Sequence, residues 1–280
     1  VLAVHLDNGW NSDLAVSNIE AVLSTLEIPL KTIVLDWFEF SSIQKAFLRS
    51  DTPDGEIPTD HAIFANLWKI ASDLNVKTIL SGMNFQTESI SVESWSYGHM
   101  DGKYVRSVSK AHGHNINSRK FPLLSITKLA FYSLMKRIKT ISILNYLHYD
   151  KAEVVGLLSK ELGWRKYEGK HFESNYTKFY QGYYLLKRFN IDKRKGHLSD
   201  LINSGQISRA EALEVLLESP LNENDKNDLL RYVAKRLDIS SFGLENLGFA
   251  PMSREGYKSD RGIFKFIKSS IDRLRSRGFY

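Results

Sequence analysis

The spacing of apolar positions along the first 165 residues changes repeatedly, and these changes predict an α/β fold. Short apolar or β-branched runs, which indicate buried strands, lie at residues 1–6, 31–37, 76–80 and 140–146. Apolar residues three or four positions apart predict helices between them, over residues 13–26, 40–48, 60–74, 125–136 and 150–162. Strands that alternate with helices of this length are typical of a parallel sheet.

Polar residues at the predicted helix starts agree with these bounds. Ser12 and Asp150 each stand directly before a segment with helical spacing, where their side chains can accept a hydrogen bond from the first turn. Thr59 or Asp60 has the same position before the third helix. The stretch 93–121 departs from the pattern, since it is polar, aromatic and interrupted by glycine, and we predict a long functional loop there.

The chain beyond residue 165 has helical spacing and no strand pattern. Helices are predicted over residues 173–188, 208–217 and 222–237. Ser208 and Glu211 form the sequence signature of a capping box at the start of the second. We therefore predict three parts: an α/β domain over residues 1–165, a helical extension over 166–250 and a basic amphipathic tail over 251–280.

The basic charge of the chain is concentrated in its tail. The whole chain has a net charge of +6, and residues 251–280 contribute eight basic and three acidic residues, which leaves +1 for residues 1–250. The basic surplus is thus no evidence that the domain binds nucleic acid. Ile263, Phe264 and Ile267 recur at helical spacing among the cations, so we expect a terminal helix that packs on the domain. Contact with an anionic membrane surface or an acidic partner is the alternative.

The composition of the chain is that of a globular protein. With 280 residues, of which 42% are hydrophobic, it can bury a sizeable core. It has no cysteine, which excludes disulfides, thiolate catalysis and cysteine-ligated metal sites within these residues and favours a cytoplasmic location. No apolar run approaches the length of about eighteen residues that a membrane span needs. The eight histidines lack any spacing typical of a metal site.

Two turns at predicted strand ends could bind a nucleotide. One is Asp7-Asn8-Gly9, after the first strand, and the other begins with Ser81-Gly82, after the third. The carboxyl ends of parallel strands share one edge of a sheet, and small residues there let a nucleotide approach the backbone. Either turn taken alone is also common as a purely structural turn.

A polar helical face follows further along the chain. Four residues at positions i, i+4, i+8 and i+11 share that face, namely Glu173, Thr177, Gln181 and Tyr184. A polar face of this kind is either exposed to water or lines a site.

Four segments of the chain together resemble one family of enzymes. They are HLDNGWNSDLAVSNIE from His5, EIPTDHAIFA from Glu56, LSGMNFQTES from Leu80 and KHFESNYTKFYQGYYLLKRFNIDKRKGHLSDLI from Lys170. In these motifs residues 1–218 resemble the N-acetyl sugar amidotransferases, a branch of the PP-loop ATP pyrophosphatases that serves bacterial surface-polysaccharide synthesis. The resemblance implies a parallel α/β sheet of the adenine-nucleotide α-hydrolase type.

The reaction that the resemblance implies is an ATP-dependent conversion of a sugar acetamido group to an acetamidino group. Attack of the amide oxygen on the α-phosphate gives an adenylated imidate, from which ammonia displaces AMP, and such a step depends mostly on positioning and charge stabilisation. The implied cofactors are ATP and Mg²⁺, and the implied substrate is an N-acetylated, nucleotide-linked sugar. Ammonia is expected from a separate glutaminase through a barrel-type channel subunit, since nothing in this chain resembles a glutaminase.

The resemblance also assigns roles to residues of this sequence. ATP is expected near His5, Asp7, Asn8, Gly9, Ser81, Gly82 and Asn84. Glu88 follows the second turn, where related synthetases have a magnesium ligand. Catalysis or phosphate handling is expected of Lys170, His171, Glu173 and Lys193. Contact with the substrate is expected of Asp60, His61, Gln181, Tyr184 and Arg194.

Part of the family pattern is absent from this sequence. Family members hold the pyrophosphate of ATP with a Ser-Gly-Gly-x-Asp-Ser loop after the first strand and tend to carry a cysteine-rich N-terminal segment, and neither occurs here. Both would precede Val1, so we expect that this chain is truncated, lacks the middle strand of its sheet and is inactive as it stands. Two alternatives stay open, a PP-loop tRNA-modifying enzyme and a non-catalytic scaffold that has lost its ATP site.

Overall fold

The computed structural model describes residues 1–89, 92, 94–167, 169, 172–264 and 266. Its strands are β1 (Ala3–Asp7), β2 (Leu30–Val34), β3 (Thr78–Ser81) and β4 (Lys139–Ser142). Helices α1 to α7 are Asp13–Thr25, Trp37–Arg49, Ile57–Asp73, Phe85–Glu88, Gly102–Ala111, Ile126–Ala130 and Lys151–Leu162. Helices α8 to α13 are Asn175–Phe179, Leu185–Phe189, Arg194–Asn203, Arg209–Leu217, Glu223–Leu237 and Ser241–Glu245.

Three short turns of other helical types complete these elements. A π-helical turn at Phe131–Met135 continues α6, and a second at Tyr180–Tyr184 joins α8 to α9 in one continuous helix. A 3₁₀ turn at Ile143–Tyr146 follows β4, where the sequence predicts a longer strand.

The strands pair as two small parallel sheets. β1 pairs with β2, with Ala3 opposite Leu30, and β3 pairs with β4, with Thr78 opposite Lys139. The chain is therefore an α/β protein with parallel strands, as the alternation of strands and helices predicts. Among the described residues, the single sheet expected from the sequence is divided into these two separate pairs.

Helix α3 links the two sheets. It packs against both β1 and β3, and at the end of β1 Asn8 Nδ2 donates to Thr59 Oγ1, in the first turn of α3, at 3.2 Å. Every residue of the four strands is at least partly exposed. Parallel strands are normally covered on both faces, so these pairs present more open edge and apolar surface than a complete parallel sheet.

The main hydrophobic core is aromatic and joins both predicted domains. Trp10 and Phe47, from the N-terminal part, are buried together with Tyr176, Tyr180 and Leu237, which lie beyond the predicted boundary. The ring of Tyr176 stacks on that of Tyr180 with 5.7 Å between their centres and lies 5.3 Å from that of Trp10. The predicted helical extension therefore shares its core with the predicted α/β domain.

The predicted loop at residues 93–121 contains a helix, so that prediction was wrong in part. Asp101 Oδ1 accepts from Tyr104 N–H at 2.9 Å and caps α5, which buries Tyr104, Val105 and Val108. These apolar residues keep helical spacing over too short a stretch to stand out among the surrounding glycines and polar residues.

The predicted helix caps are confirmed except at α3. Side-chain caps form as expected at Ser12, Asp150 and Ser208. Helix α3 begins at Ile57, before the predicted start, because Pro58 fits the first turn of a helix, where its missing N–H needs no partner.

The segment from residue 251 onward is attached to the rest of the molecule by a charged pair. Arg254 Nε lies 2.7 Å from Oδ2 of the buried Asp54. A helical turn begins only at residue 261, and the predicted tail helix beyond residue 266 lies outside the described residues. None of the described helices combines the length and apolar character required to cross a membrane.

Candidate functional site at the strand ends

The turn after β1 directs Asn8 towards the start of α3. Asp7 Oδ1 accepts from Gly9 N–H at 2.8 Å, and Asn8 Oδ1 accepts from Trp10 N–H at 3.1 Å. These two bonds fix the turn, in which Gly9 has a positive φ of +79° that glycine adopts without strain. Because Asn8 also donates to Thr59, its buried side chain joins β1 to the first turn of α3.

The space next to Gly9 is filled by protein. Arg236 Nη2 donates to Gly9 O at 2.7 Å, and its guanidinium lies 4.1 Å from the ring centre of Trp37. A Cβ atom on Gly9 would come within 2.7 Å of Arg236 and 2.9 Å of Trp37. Side chains of α2 and α12 therefore occupy the space next to Gly9 on the side where a Cβ would lie, and the approach of a nucleotide to its backbone stays a prediction.

An imidazole and a carboxylate pair at the start of α3. His99 Nδ1 lies 2.9 Å from Asp60 Oδ2, and both side chains are partly exposed. Burial lowers the pKa of His99, but the hydrogen bond to Asp60 and the charges of Asp60 and Glu56 outweigh it and raise the pKa above its ordinary value. An imidazole beside a carboxylate is a candidate general base, and here the two groups are within ion-pair distance without an aligned hydrogen bond at Nδ1. The sequence predicts Asp60 as a site residue but gives no local signal for His99, which lies in an aperiodic loop.

Two side chains from the C-terminal part approach the same pair. Gln181 Nε2 donates to Glu56 Oε2 at 2.9 Å, one turn before Asp60 along the chain. The ammonium group of Lys193 is near enough to His99 for its charge to oppose the rise in the pKa of that imidazole. The start of α3, the loop that carries His99 and the segments around Gln181 and Lys193 therefore come together.

A cavity of about 910 Å³ connects this pair to the end of β3. His99 and Ser81 both lie in its wall, and α3 contributes apolar side chains such as Phe64 and Trp68. Asn8 contacts the first turn of α3, that turn contacts His99, and His99 shares the cavity with Ser81. The residues after β1 and the end of β3 are thus linked through the start of α3 and this cavity.

The turn after β3 uses its polar side chains on its own backbone. Ser81 Oγ accepts from Met83 N–H at 3.2 Å, and Asn84 Oδ1 accepts from Thr87 N–H at 3.0 Å as the cap of α4. A Cβ on Gly82 would have no described atom within 4 Å. Gly82 therefore leaves open space, whereas Ser81 and Asn84 hold the turn in place.

The predicted magnesium ligand Glu88 is exposed at the end of α4. Burial raises the pKa of Tyr149, and the negative charge of Glu88 raises it further. In the described part of the chain, no group of three or more His, Cys, Asp or Glu side chains is placed to hold a metal ion. Mg²⁺ in nucleotide sites is bound by one or two carboxylates together with phosphates, so Glu88 can supply one ligand of such a site.

A second cavity, of about 330 Å³, lies beside Gln181 and has a basic lining. We call it the cationic cavity, and its polar lining residues are Thr87, Lys151, Gln181, Lys193, Arg194, His197, Glu218 and Ser219. The π-helical turn at Tyr180–Tyr184 carries Gln181 into this wall, and such turns occur frequently at functional sites. Sequence reasoning missed Lys151 and His197, because each is an isolated polar position on a helix with no motif around it.

Two predicted substrate residues belong to the core instead. Leu124 N–H donates to His61 Nε2 at 3.0 Å, so His61 carries its proton on Nδ1, which donates to His99 O at 2.8 Å. Burial lowers the pKa of His61 to about 4 and keeps the ring neutral near neutral pH. Tyr184 is also buried and donates its O–H to Leu48 O at 2.6 Å. The predictions of substrate contact for His61 and Tyr184 are therefore wrong.

The π turn explains the error at Tyr184. The predicted polar face assumes a regular α-helix from Glu173, but the π turn at Tyr180–Tyr184 has wider spacing and rotates the residues that follow. Gln181 lies at the start of that turn and stays at the site, whereas Tyr184 turns into the core.

Arg194 lines the cationic cavity, but its guanidinium is already paired. Its Nη2 donates to Asp192 Oδ2 and its Nη1 to Glu218 O, both at 2.8 Å. Burial raises the pKa of Asp192, but the hydrogen bonds from Arg194 outweigh it and lower the pKa below its ordinary value. The contacts of Arg194 therefore hold the end of α11 against the start of α10.

The remaining predicted residues lie around the turn after β1 or outside the described residues. Glu173 O accepts from Ser12 N–H at 2.9 Å, which brings Glu173 to the start of α1. His5 Nε2 lies 3.1 Å from Asn11 Nδ2 in the same region. The predicted residues outside the described part are Lys170 and His171.

The part of the chain that carries Gln181 and most of the cationic cavity is similar to a known family. Residues 173–270 match the family described as LPS biosynthesis protein WbpG-like, C-terminal domain. No curated protein matches the chain. The WbpG-like region, residues 173–270, includes Gln181, Lys193 and His197, and its similarity supports a role for this chain in LPS biosynthesis.

Proposed function

We propose that this protein acts in LPS biosynthesis as an ATP-dependent amidotransferase that converts a sugar acetamido group to an acetamidino group. The observation that carries the proposal is the hydrogen bond from Gln181, in the WbpG-like region, to Glu56, which lies one helical turn before Asp60 of the Asp60–His99 pair. The resemblance of four motifs to the N-acetyl sugar amidotransferases supplies the reaction. In this proposal the protein works in the cytoplasm and receives ammonia from a glutaminase through a channel subunit.

Exchange of the amide oxygen for nitrogen requires two things of the side chains at this site: a group that accepts a proton and a group that stabilises negative charge. Ammonia must lose a proton after it attacks the amide carbon. His99, whose Nδ1 lies 2.9 Å from Asp60 Oδ2, has Nε2 to accept that proton, with Ser96 Oγ 3.4 Å away. The departing oxygen carries negative charge, and a cation such as Lys193 lowers the energy of that charge in a partly dehydrated site.

ATP, when bound, activates the amide oxygen as a leaving group, but the described residues do not form a complete triphosphate site. Arg236 covers the backbone at Gly9, and Ser81 and Asn84 are used within their own turn. In the family that the four motifs resemble, a Ser-Gly-Gly-x-Asp-Ser loop holds the triphosphate, and the given sequence does not contain that loop. Glu88 is the proposed magnesium ligand.

The test uses the chain together with its upstream coding sequence. With ATP and an N-acetylated sugar nucleotide, we expect AMP formation that depends on added ammonia or on the partner glutaminase. His99→Asn removes the base, so kcat should fall by about 10²- to 10⁴-fold, the usual contribution of a general base. The matched control is His112→Asn, whose imidazole contacts Tyr257 O–H away from the site and whose loss should leave kcat unchanged.

Other outcomes of this assay would contradict the proposal. Absence of ammonia-dependent AMP formation in the longer protein would favour a non-catalytic scaffold for the glutaminase. AMP formation stimulated by tRNA, with binding that weakens steeply as salt rises, would favour a PP-loop tRNA-modifying enzyme. Equal losses in His99→Asn and His112→Asn would remove His99 from the chemistry.

A further inference from the structure

The cationic cavity brings positive groups together from separate parts of the chain. Lys151 opens α7, Lys193 stands directly before α10, and His197 lies one turn into α10. Helices α7 and α10 are separated in sequence by the whole of α8 and α9. Tertiary packing therefore builds this cluster, and it is not the by-product of a local charge run.

The described lining of the cavity contains more basic than acidic residues. Arg194 lines the wall and is paired with the carboxylate of Asp192. Among the described lining residues the acidic one is Glu218, beside Lys151, Lys193 and His197. A site with this balance favours an anion.

The size and the apolar side of the cavity indicate the kind of anion. A volume of about 330 Å³ is at the lower end of the range for small-molecule sites, so the cavity accommodates a diphosphate with part of the group attached to it. Phe172, Leu198 and Leu201 form an apolar wall that suits the face of a sugar or base ring.

The cavity adjoins the Asp60–His99 pair through two shared residues. Gln181 lines the cavity and donates to Glu56 beside the pair. Lys193 also lines the cavity, and its charge acts on His99. The cavity is thereby linked to the start of α3, which carries Glu56 and Asp60.

We propose that the cationic cavity binds the diphosphate of a nucleoside-diphosphate sugar through Lys151, Lys193 and His197. Ammonium groups donate charge-assisted hydrogen bonds to phosphate oxygens, which are stronger than those between neutral groups, and the imidazole of His197 offers a further N–H donor. That the sugar is N-acetylated rests on the proposed function, whereas the phosphate site follows from the cavity itself.

Isothermal titration calorimetry of the chain as it stands, at one fixed salt concentration, tests this site. The probes are UDP-N-acetylglucosamine, UDP, ATP and free N-acetylglucosamine, and we expect saturable binding of the first two and none of the free sugar. Lys193→Gln and Lys151→Gln should each raise the Kd for UDP about tenfold, the loss expected for one charge-assisted hydrogen bond. Lys195→Gln removes an exposed charge from the same helix and should change that Kd by less than about twofold.

Two checks separate loss of the site from loss of the fold. The thermal unfolding midpoints of the variants should equal that of the native chain, and Lys193→Arg, which keeps the charge, should bind UDP within a few-fold of it. Equal weakening by Lys193→Gln and Lys195→Gln would overturn the proposal, because it would show only a long-range charge effect. Tighter binding of ATP than of UDP-N-acetylglucosamine, with the same dependence on Lys193, would also overturn it and assign the cavity to a triphosphate.

Failure of this inference and failure of the proposed function can be told apart. The titrations need no turnover, so a longer protein without amidotransferase activity would leave the binding result standing. Conversely, an active enzyme whose Kd for the sugar nucleotide does not change in Lys151→Gln and Lys193→Gln would keep the proposed function and refute the phosphate site.

Discussion

The two parallel strand pairs and the aromatic helical core differ in how completely they are buried. Every residue of β1 to β4 is at least partly exposed. In the core, side chains with at most 1% of their surface accessible include those of Trp10, Phe40, Phe47, Tyr176 and Tyr180. Parallel sheets normally lie in the interior, under helices on both faces. In this chain the helices enclose the core, and the strands lie at its periphery.

This contrast assigns different functions to the two regions. Helices α2, α5, α8 and α12 each contribute buried apolar residues to the main core, and burial of apolar surface is the dominant favourable contribution to folding. The strands position the turns that carry Asn8 and Ser81 at one edge, and their unpaired sides can accept a further strand. Stability should accordingly respond to changes in the core far more than to changes in the strands.

Two phenylalanines of α2, one in the core and one at the surface, should show the largest difference in the free energy of unfolding when each is replaced by alanine. Phe47 is fully buried against Tyr104, and Phe38 is 75% exposed. Phe47→Ala should lower the free energy of unfolding by about 3–5 kcal/mol, since it removes buried surface and leaves a cavity. Phe38→Ala should lower it by less than about 0.5 kcal/mol. Urea unfolding measures both, and comparable losses would contradict the assignment of the core to the helices.

Loss of the buried carboxylate of Asp54 should lower the free energy of unfolding almost as much as Phe47→Ala does. It accepts from Arg254 Nε at 2.7 Å and from Tyr104 O–H at 2.6 Å. Asp54→Asn should lower the free energy of unfolding by about 3–5 kcal/mol, because it leaves a buried guanidinium without its counter-charge. Asp51→Asn, at the more exposed pair with Arg188, should cost less than about 1 kcal/mol. If urea unfolding gives equal costs, the C-terminal segment is not held by the Asp54 pair.

The pH dependence of stability should show the burial of His61. Its folded-state pKa of about 4 lies below the ordinary value of 6.5, so its contribution is complete above about pH 6.5. As pH falls towards 4, protons bind the unfolded chain preferentially, and about 3 kcal/mol of unfolding free energy should be lost by order of magnitude. Urea unfolding across this range measures the slope, which should disappear in His61→Gln. A slope unchanged in that variant would contradict the assignment.

The pKa of His99 is shifted in the opposite direction from that of His61, so its contribution to stability should depend on pH in the opposite sense. Its pKa is raised above the ordinary value because the hydrogen bond and charge of Asp60 outweigh burial. Its contribution to stability is therefore present below about pH 6.5 and lost as pH rises through the folded-state pKa. NMR titration of the ring protons compares it directly with His61. Asp60→Asn should return the pKa of His99 towards or below 6.5, and no change would refute the pair.

Substitutions in the strands are expected to change the free energy of unfolding least. Leu80 of β3 is 59% exposed, so Leu80→Thr should change the free energy of unfolding by less than about 0.5 kcal/mol in this chain. Urea unfolding measures this change, and a loss of more than about 1 kcal/mol would contradict the peripheral position of the strands.

The sequence by itself determined the features whose physical causes act within a few residues. The period of apolar positions determined the alternation of strands and helices, and the polar residues Ser12, Asp150 and Ser208 determined where three helices begin. The turns after β1 and β3 were recognisable for the same reason. Where a local signal was short, as at α5, or interrupted, as at the π turn before Tyr184, the prediction was wrong.

Only the tertiary structure decided which side chains meet. Asp60 with His99 and Glu56 with Gln181 are pairs that no local spacing records. Arg236 fills the space at Gly9 from the far end of the chain. Such partners are selected by how helices pack around a common core, because the free energy of burying or pairing a polar group depends on its neighbours in space and not on those in sequence.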